Sequence, residues 1–291
     1  MKTCAQNSIS VYAHDQRGFG RTEGGVQAYT DRFDDYVDDA VAEIRAIKEK
    51  NPSIPVVVMG HSMGGLVSMR VGLAIPDEIN GLILSAPLLK LSDNLSPHML
   101  KLAYMLSYVM PTFYLPWSSM DRNKITPNIE VQERDAADPL IWHYGTRAGH
   151  AVVMVEAVKQ TEIESEALKV KAYVFHGTAD EICDIEGGRK LAAKHPELVI
   201  MKEYEGVVHS LLHEMPETSK RITADMIAAA LSMCGVPSLL EVVSTSHVDV
   251  VEEANDVEIK TPVNCIDSSI QETVEALPEA VEASPETVKP E

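Results

Sequence analysis

Gly60-His61-Ser62-Met63-Gly64-Gly65 lies between a β-branched run, Val56-Val57-Val58-Met59, and an apolar helical pattern that begins near Leu66. A strand, a tight turn and a helix with a serine at the turn describe a strained elbow. There the small residues two before and two after the serine, Gly60 and Gly64, let strand and helix approach without a Cβ clash. The Ser62 hydroxyl then stands exposed, with the Met63 amide directed at the same space. At roughly 7% usage of Gly and Ser the bare G-x-S-x-G pattern arises by chance in about one chain of this length in ten, so the context has to carry the reading.

The strand–helix alternation continues on both sides. Upstream, Ile9-Ser10-Val11-Tyr12-Ala13 reads as a strand, followed by a Gly-rich loop from Arg17 to Gly25. Thr30 or Asp31 is the expected cap of a helix whose buried stripe is Phe33, Tyr36, Val37, Ala40, Val41, Ile44 and Ile47, stopped by Asn51-Pro52. Downstream come strands at Gly81–Ser85, Ala172–Phe175 and Val199–Tyr204, and helices over Gly187–His195 and Pro216–Met233. This rhythm predicts an α/β fold with a mostly parallel sheet and helices on both faces.

Residues 88 to about 165 interrupt the rhythm and read as a helical cap, or lid, inserted into an α/β domain spanning 1–234. In the cap, Ser96-Pro97 opens a helix that is apolar nearly all round, from Met99 to Met110, with only Lys101 and Ser107 clearly polar. Two readings of that helix stand side by side, a buried cap element and a lipid-facing lid. From Gly235 the composition turns to Val, Glu, Pro, Ser and Thr with few aromatics, so 235–291 is expected to be a disordered acidic tail.

Of the net charge of −19, residues 241–291 carry −11, from 13 acids and two bases, which leaves −8 for the first 240. An acidic chain repels phosphates, which argues against nucleic acid as a partner. Cys4, Cys183, Cys234 and Cys265 lack paired spacing, against a disulfide framework or a zinc site and in favour of a reducing, cytoplasmic setting. The first residues hold no apolar signal segment, and no run of 18 apolar residues occurs. A soluble protein, or one peripheral on membranes, is expected.

A serine hydroxyl needs a base within hydrogen-bond reach and an acid to orient that base. In α/β-hydrolases the order along the chain is Ser, Asp or Glu, then His, each after its own strand. His14, His61, His98, His143 and His150 precede any plausible acid, His195 falls in a helix and His247 in the tail. His209, just after the last strand, remains as the base. Asp180 lies in the turn after Val174-Phe175, whereas Asp184 already leads into a helix. The expected catalytic set is Ser62, Asp180 and His209, with the Met63 amide in the oxyanion hole and no metal or organic cofactor. His61 is read as a local hydrogen-bonding or packing residue, Cys183 as a small buried filler beside the site, and His14-Asp15 as loop-fixing.

With these residues in place the chain resembles the monoacylglycerol lipase family, within the broader serine-aminopeptidase-like α/β-hydrolases. The resemblance rests on Ala13-His14-Asp15 through Gly24, Met59–Gly65, Asp121-Arg122-Asn123-Lys124, Asp138-Pro139-Leu140-Ile141, His176–Asp180 with Cys183-Asp184, and Tyr204-Glu205-Gly206 through His209 to Pro216-Glu217. It implies an α/β-hydrolase that cleaves a monoacylglycerol to fatty acid and glycerol, with the apolar cap forming the acyl tunnel and resting on membranes. Lysophospholipid or another small ester is an alternative substrate, and a catalytically impaired lipid-binding or interaction protein a rival of another class. Family members carry a further segment before the strand expected at Ile9–Ala13, with a His-Gly loop that gives the second oxyanion amide. Its absence implies an N-terminally incomplete hydrolase with a gap in the sheet between Ile9–Ala13 and Val56–Met59. A smaller departure is Arg134-Asp135, where family lids often carry an aromatic.

Overall fold

The computed structural model describes residues 2–91, 96–118 and 120–236; the expected acidic tail lies outside them except for its first two residues. Helix α1 (Lys2–Gln6) is followed by an irregular stretch and α2 (Asp34–Lys50). Strand β1 (Val57–His61), α3 (Met63–Ala74) and β2 (Gly81–Ser85) form the elbow unit. Four helices follow, α4 (Pro97–Val109), α5 (Arg122–Ile125), α6 (Ile129–Ala137) and α7 (Ala148–Glu164), before β3 (Ala172–Gly177), α8 (Glu186–Lys194), β4 (Val199–Tyr204) and α9 (Pro216–Met233).

The four strands pair in parallel in the order β1-β2-β3-β4, with Val57 opposite Gly81, Leu82 opposite Ala172, and Ala172 opposite Val199. Parallel strands covered on both faces read as continuous apolar runs. Accordingly all five residues of β2 are buried. Side chains alternate between faces: Leu82, Leu84, Ala172 and Val174 join α2, α3, α7 and α8 in one cluster. Ile83 and Phe175 join Ile222, Met226 and Met233 of α9 in the other. Arg70 of α3, hydrogen-bonded to Asp34, Thr161 and Glu164, ties α2, α3 and α7 together.

Three expectations need correction. Ile9–Ala13 is not a strand, and Val11 and Tyr12 are 46% and 56% exposed. Its alternating pattern has no ladder to join, because β1 pairs only with β2 among the described residues, and a strand without a partner leaves its amides and carbonyls to water. The helix expected from a Thr30 or Asp31 cap begins at Asp34 instead. The Thr30 hydroxyl is occupied by the Arg32 carbonyl and the Asp35 carboxylate, so it holds the preceding turn. Finally, α4 buries only Ala103, and Tyr108, Val109 and Met105 are 93%, 69% and 58% exposed. The buried-cap reading of that helix fails.

Candidate active site

Ser62 follows β1 and opens α3 with φ 55° and ψ −119°, a conformation that L-residues rarely adopt. The local sequence makes it possible. A Cβ on Gly60 would come within 2.0 Å of the Gly64 carbonyl oxygen, and one on Gly65 within 2.7 Å of Pro87 Cβ, while one on Gly64 would meet nothing. The close approach is therefore made at Gly60 and Gly65, and Gly64 contributes its backbone instead. The Ser62 amide donates to the Ser85 carbonyl at 2.9 Å, and the Ser62 carbonyl accepts from Gly65 at 2.9 Å and Leu88 at 3.1 Å. These bonds hold the turn against β2. Met63 is the first residue of α3, where an amide has no intrahelical acceptor.

Asp180 sits in the turn after β3 with a fully buried side chain. Its Oδ1 accepts from the Ile182 and Cys183 amides at 2.8 and 3.0 Å. Oδ2 lies 2.8 Å from His209 Nδ1 and 3.1 Å from His176 Nε2. Burial alone would raise the Asp180 carboxyl. Hydrogen bonds from His176 and His209, with the charge of His209 and the Cys183 amide, outweigh it and hold the group well below the usual carboxylate range. His209, in the loop after β4, is 4% exposed. Asp184 is engaged elsewhere, by the Lys90 ammonium and the Glu186 amide.

The structure thus brings His209 and Asp180 together. Ser62 Oγ instead meets Cys183 Sγ at 3.7 Å, and no hydrogen bond joins Ser62 to His209. Cys183 is buried, and that burial, with the nearby Asp180 charge, pushes its thiol up to about 12. It is a neutral thiol at pH 7 and a packing neighbour of Ser62. His61 hydrogen-bonds through Nδ1 with the Ser85 carbonyl at 3.1 Å, and its ring lies 4.6 Å from that of His209. The ring is crowded although part of the residue is open to solvent. Loss of water, reinforced by His209, lowers its pKa to about 4 and leaves it neutral. Asp15 fixes its loop by accepting from the Arg21 amide at 2.8 Å.

Two contacts went unassigned in the sequence. His176, just past the strand expected at Ala172–Phe175 and first in the His176–Asp180 stretch, turns its ring onto the Asp180 carboxylate. Thr126, just past α5, donates from a buried hydroxyl to the His213 carbonyl, and the Ile125 carbonyl accepts from the Ser210 amide at 2.8 Å. With Lys124 paired to Glu181 at 2.7 Å, this short segment ties the inserted helices to the loops that carry both His209 and Asp180. Among the described residues no group of His, Cys, Asp and Glu is arranged to hold a metal.

A positive-φ serine at a strand–helix turn, with a buried His209–Asp180 hydrogen bond in the loops nearby, is an arrangement that suits acyl transfer. Comparison with known proteins agrees. A family profile described as "Serine aminopeptidase, S33" matches residues 1–216. Monoglyceride lipase of Rattus norvegicus is 31% identical over 215 residues, 73% of this chain and 70% of that protein. Monoacylglycerol lipase of Mycolicibacterium smegmatis is 29% identical, covering 71% and 73%. In fold, the crystal structure of Paleococcus ferrophilus monoacylglycerol lipase superposes with a TM-score of 0.69 at 24% identity, over 80% of this chain and 87% of that one. Sequence, fold and elbow together place this chain in the serine aminopeptidase, S33, family, as a monoacylglycerol-lipase-like α/β-hydrolase of the serine ester hydrolase class.

Proposed function

We propose that this chain hydrolyses monoacylglycerols to fatty acid and glycerol through Ser62, His209 and Asp180. The observation that carries the reading is the positive-φ serine at the β1–α3 junction, next to loops that bury a His209–Asp180 hydrogen bond. His209 Nε2 takes the Ser62 proton as Oγ attacks the ester carbonyl, and Asp180 stabilises the imidazolium. The Met63 amide holds the oxyanion; one such donor is typically worth about 10² to 10³ in kcat. His209 then protonates the departing glycerol, and a water activated by the same ring releases the fatty acid. This mechanism requires the Ser62 hydroxyl, which meets Cys183 at 3.7 Å, to turn to His209 when substrate enters.

The exposed apolar surface of the inserted helices supports a lipid substrate. Met105, Tyr108, Val109, Met110 and Met120 stand open to solvent, where an acyl chain or a membrane surface would cover them. Among the described residues no helix is long and apolar enough to cross a membrane, so membrane contact in this reading is peripheral.

Monooleoylglycerol hydrolysis by the full chain and by Ser62→Ala tests the proposal, with a panel of head groups at fixed acyl length to separate glycerol from lysophospholipid esters. Wild type should release oleate and Ser62→Ala should lose it by about 10⁴ or more; equal turnover by the two would refute the assignment. A second reading, lipid binding without catalysis, is favoured by the missing Ser62–His209 hydrogen bond. Bound monooleoylglycerol with no released oleate would select it.

A further inference from the structure

His176, at the end of β3, has no exposed surface. Its two ring nitrogens are in opposite conditions. Nε2 is 3.1 Å from Asp180 Oδ2 and 3.1 Å from the Cys183 carbonyl oxygen. Both are acceptors, so Nε2 carries a hydrogen and shares it between them. Nδ1 is buried with no partner. An orphaned buried nitrogen is a cost that an apolar side chain of similar volume would avoid, so packing alone is a poor reason for an imidazole here.

Asp180 shows what the ring does. Two backbone amides hold Oδ1, and they would be present with almost any side chain at position 176. Oδ2 is shared by His209 and His176 alone. The second donor fixes the rotation of the carboxylate, aiming Oδ2 at His209. It also draws off part of the negative charge that Oδ2 would otherwise offer to the His209 imidazolium.

We propose that His176 is a positioning residue for the acid, holding Asp180 turned toward His209. The proposal rests on the reading of Ser62, His209 and Asp180 above. Without the His176 donor, Oδ2 keeps more of its negative charge for the His209 imidazolium, while the carboxylate is less well aimed. His61, whose ring is tilted against that of His209, and Glu214, which accepts from the neighbouring Val208 amide, stay in every variant, as does His213, four residues on in the same loop.

The test compares wild type with His176→Leu, which removes the donor, and His176→Gln, whose amide nitrogen falls near the place of Nε2. The pH dependence of kcat/KM for p-nitrophenyl butyrate reports the free-enzyme base, and ¹⁵N NMR titration of His209 reports it without any catalysis. In His176→Leu the acid limb and the His209 titration should both move up by about half to one pH unit, with the plateau rate about tenfold lower. His176→Gln should restore both. A lowered plateau with an unmoved His209 titration would reduce His176 to packing and overturn the proposal. A moved His209 titration in His176→Leu, with no esterase activity even in wild type, would keep it and refute the catalytic reading instead. Should His176→Leu not fold, His176→Asn, whose amide falls near Nδ1, replaces it with the same expected shift.

Discussion

The two flanks of Ser62 are built in opposite ways. Toward β2, β3 and β4 the site is dry: Ser85, His176, His209 and Glu214 are all buried. Asp180 has four donors, and Glu214 accepts from the Val208 and Met215 amides at 3.0 and 3.2 Å. Toward the outer edge of β1 the chain is wet. Met59 is 46% exposed, and Ile9–Ala13 runs unpaired with Val11 and Tyr12 open. Asp180 and His209 sit in turns that follow paired strands, and their side chains bond each other. The other flank has strand-like sequence without a neighbour to bond, and the pattern alone does not make a strand.

The largest effect that could break this contrast lies on the dry flank. Asp180→Asn should keep the fold yet lower kcat by about 10⁴, because the amide no longer stabilises charged His209; a loss below tenfold in steady-state kinetics would mean the buried pair is not the base–acid couple. The same variant tests a pH effect. The Asp180 carboxyl is held below its ordinary range, so its stabilisation is complete above about pH 4 and fades as the pH falls below that. Denaturant midpoints measured downward from pH 4 should therefore fall more steeply for wild type than for Asp180→Asn.

Next in size is Gly60→Ala. Its Cβ would sit 2.0 Å from a backbone carbonyl, which cannot rotate aside, so a cost of about 3 kcal/mol or more is expected, whereas Gly64→Ala, with open space around it, should cost about 1 kcal/mol or less. The smallest expected effect, at Met59, sharpens the contrast most directly when set beside Leu84. Leu84→Ala, fully buried in β2, should cost about 2–5 kcal/mol, and Met59→Ala on the open edge of β1 within about 0.5 kcal/mol. Equal costs for the pair in urea unfolding would show that the β1 edge is covered in solution.

Much of this was legible in the chain. Gly81–Ser85, Val199–Tyr204 and Pro216–Met233 have the bounds that their apolar runs and flanking Gly and Pro residues indicate, because propensity, period and punctuation agree there. Ser62, Asp180 and His209 could be singled out because order along the chain and position after a strand are sequence properties. What stayed hidden depends on three-dimensional neighbours. Ile9–Ala13 needed a partner strand, and α4, apolar all round, gives no clue to which face is covered. Gly65 rather than Gly64 makes the second close approach because Pro87 is folded against it. His176 and Thr126 face inward onto partners that no spacing rule names, and Cys183, expected beside the site, meets Ser62 itself from 121 residues away.

The account stands or falls on whether Ser62 is an activated nucleophile in this chain. The direct measurement is covalent labelling of the purified protein with a fluorophosphonate probe, read by intact mass and located by peptide mapping, beside Ser62→Ala and His209→Ala. Single labelling at Ser62, absent in Ser62→Ala and strongly slowed in His209→Ala, is the predicted result. No labelling of the wild type, or labelling at Ser62 as fast without His209 as with it, would contradict the claim.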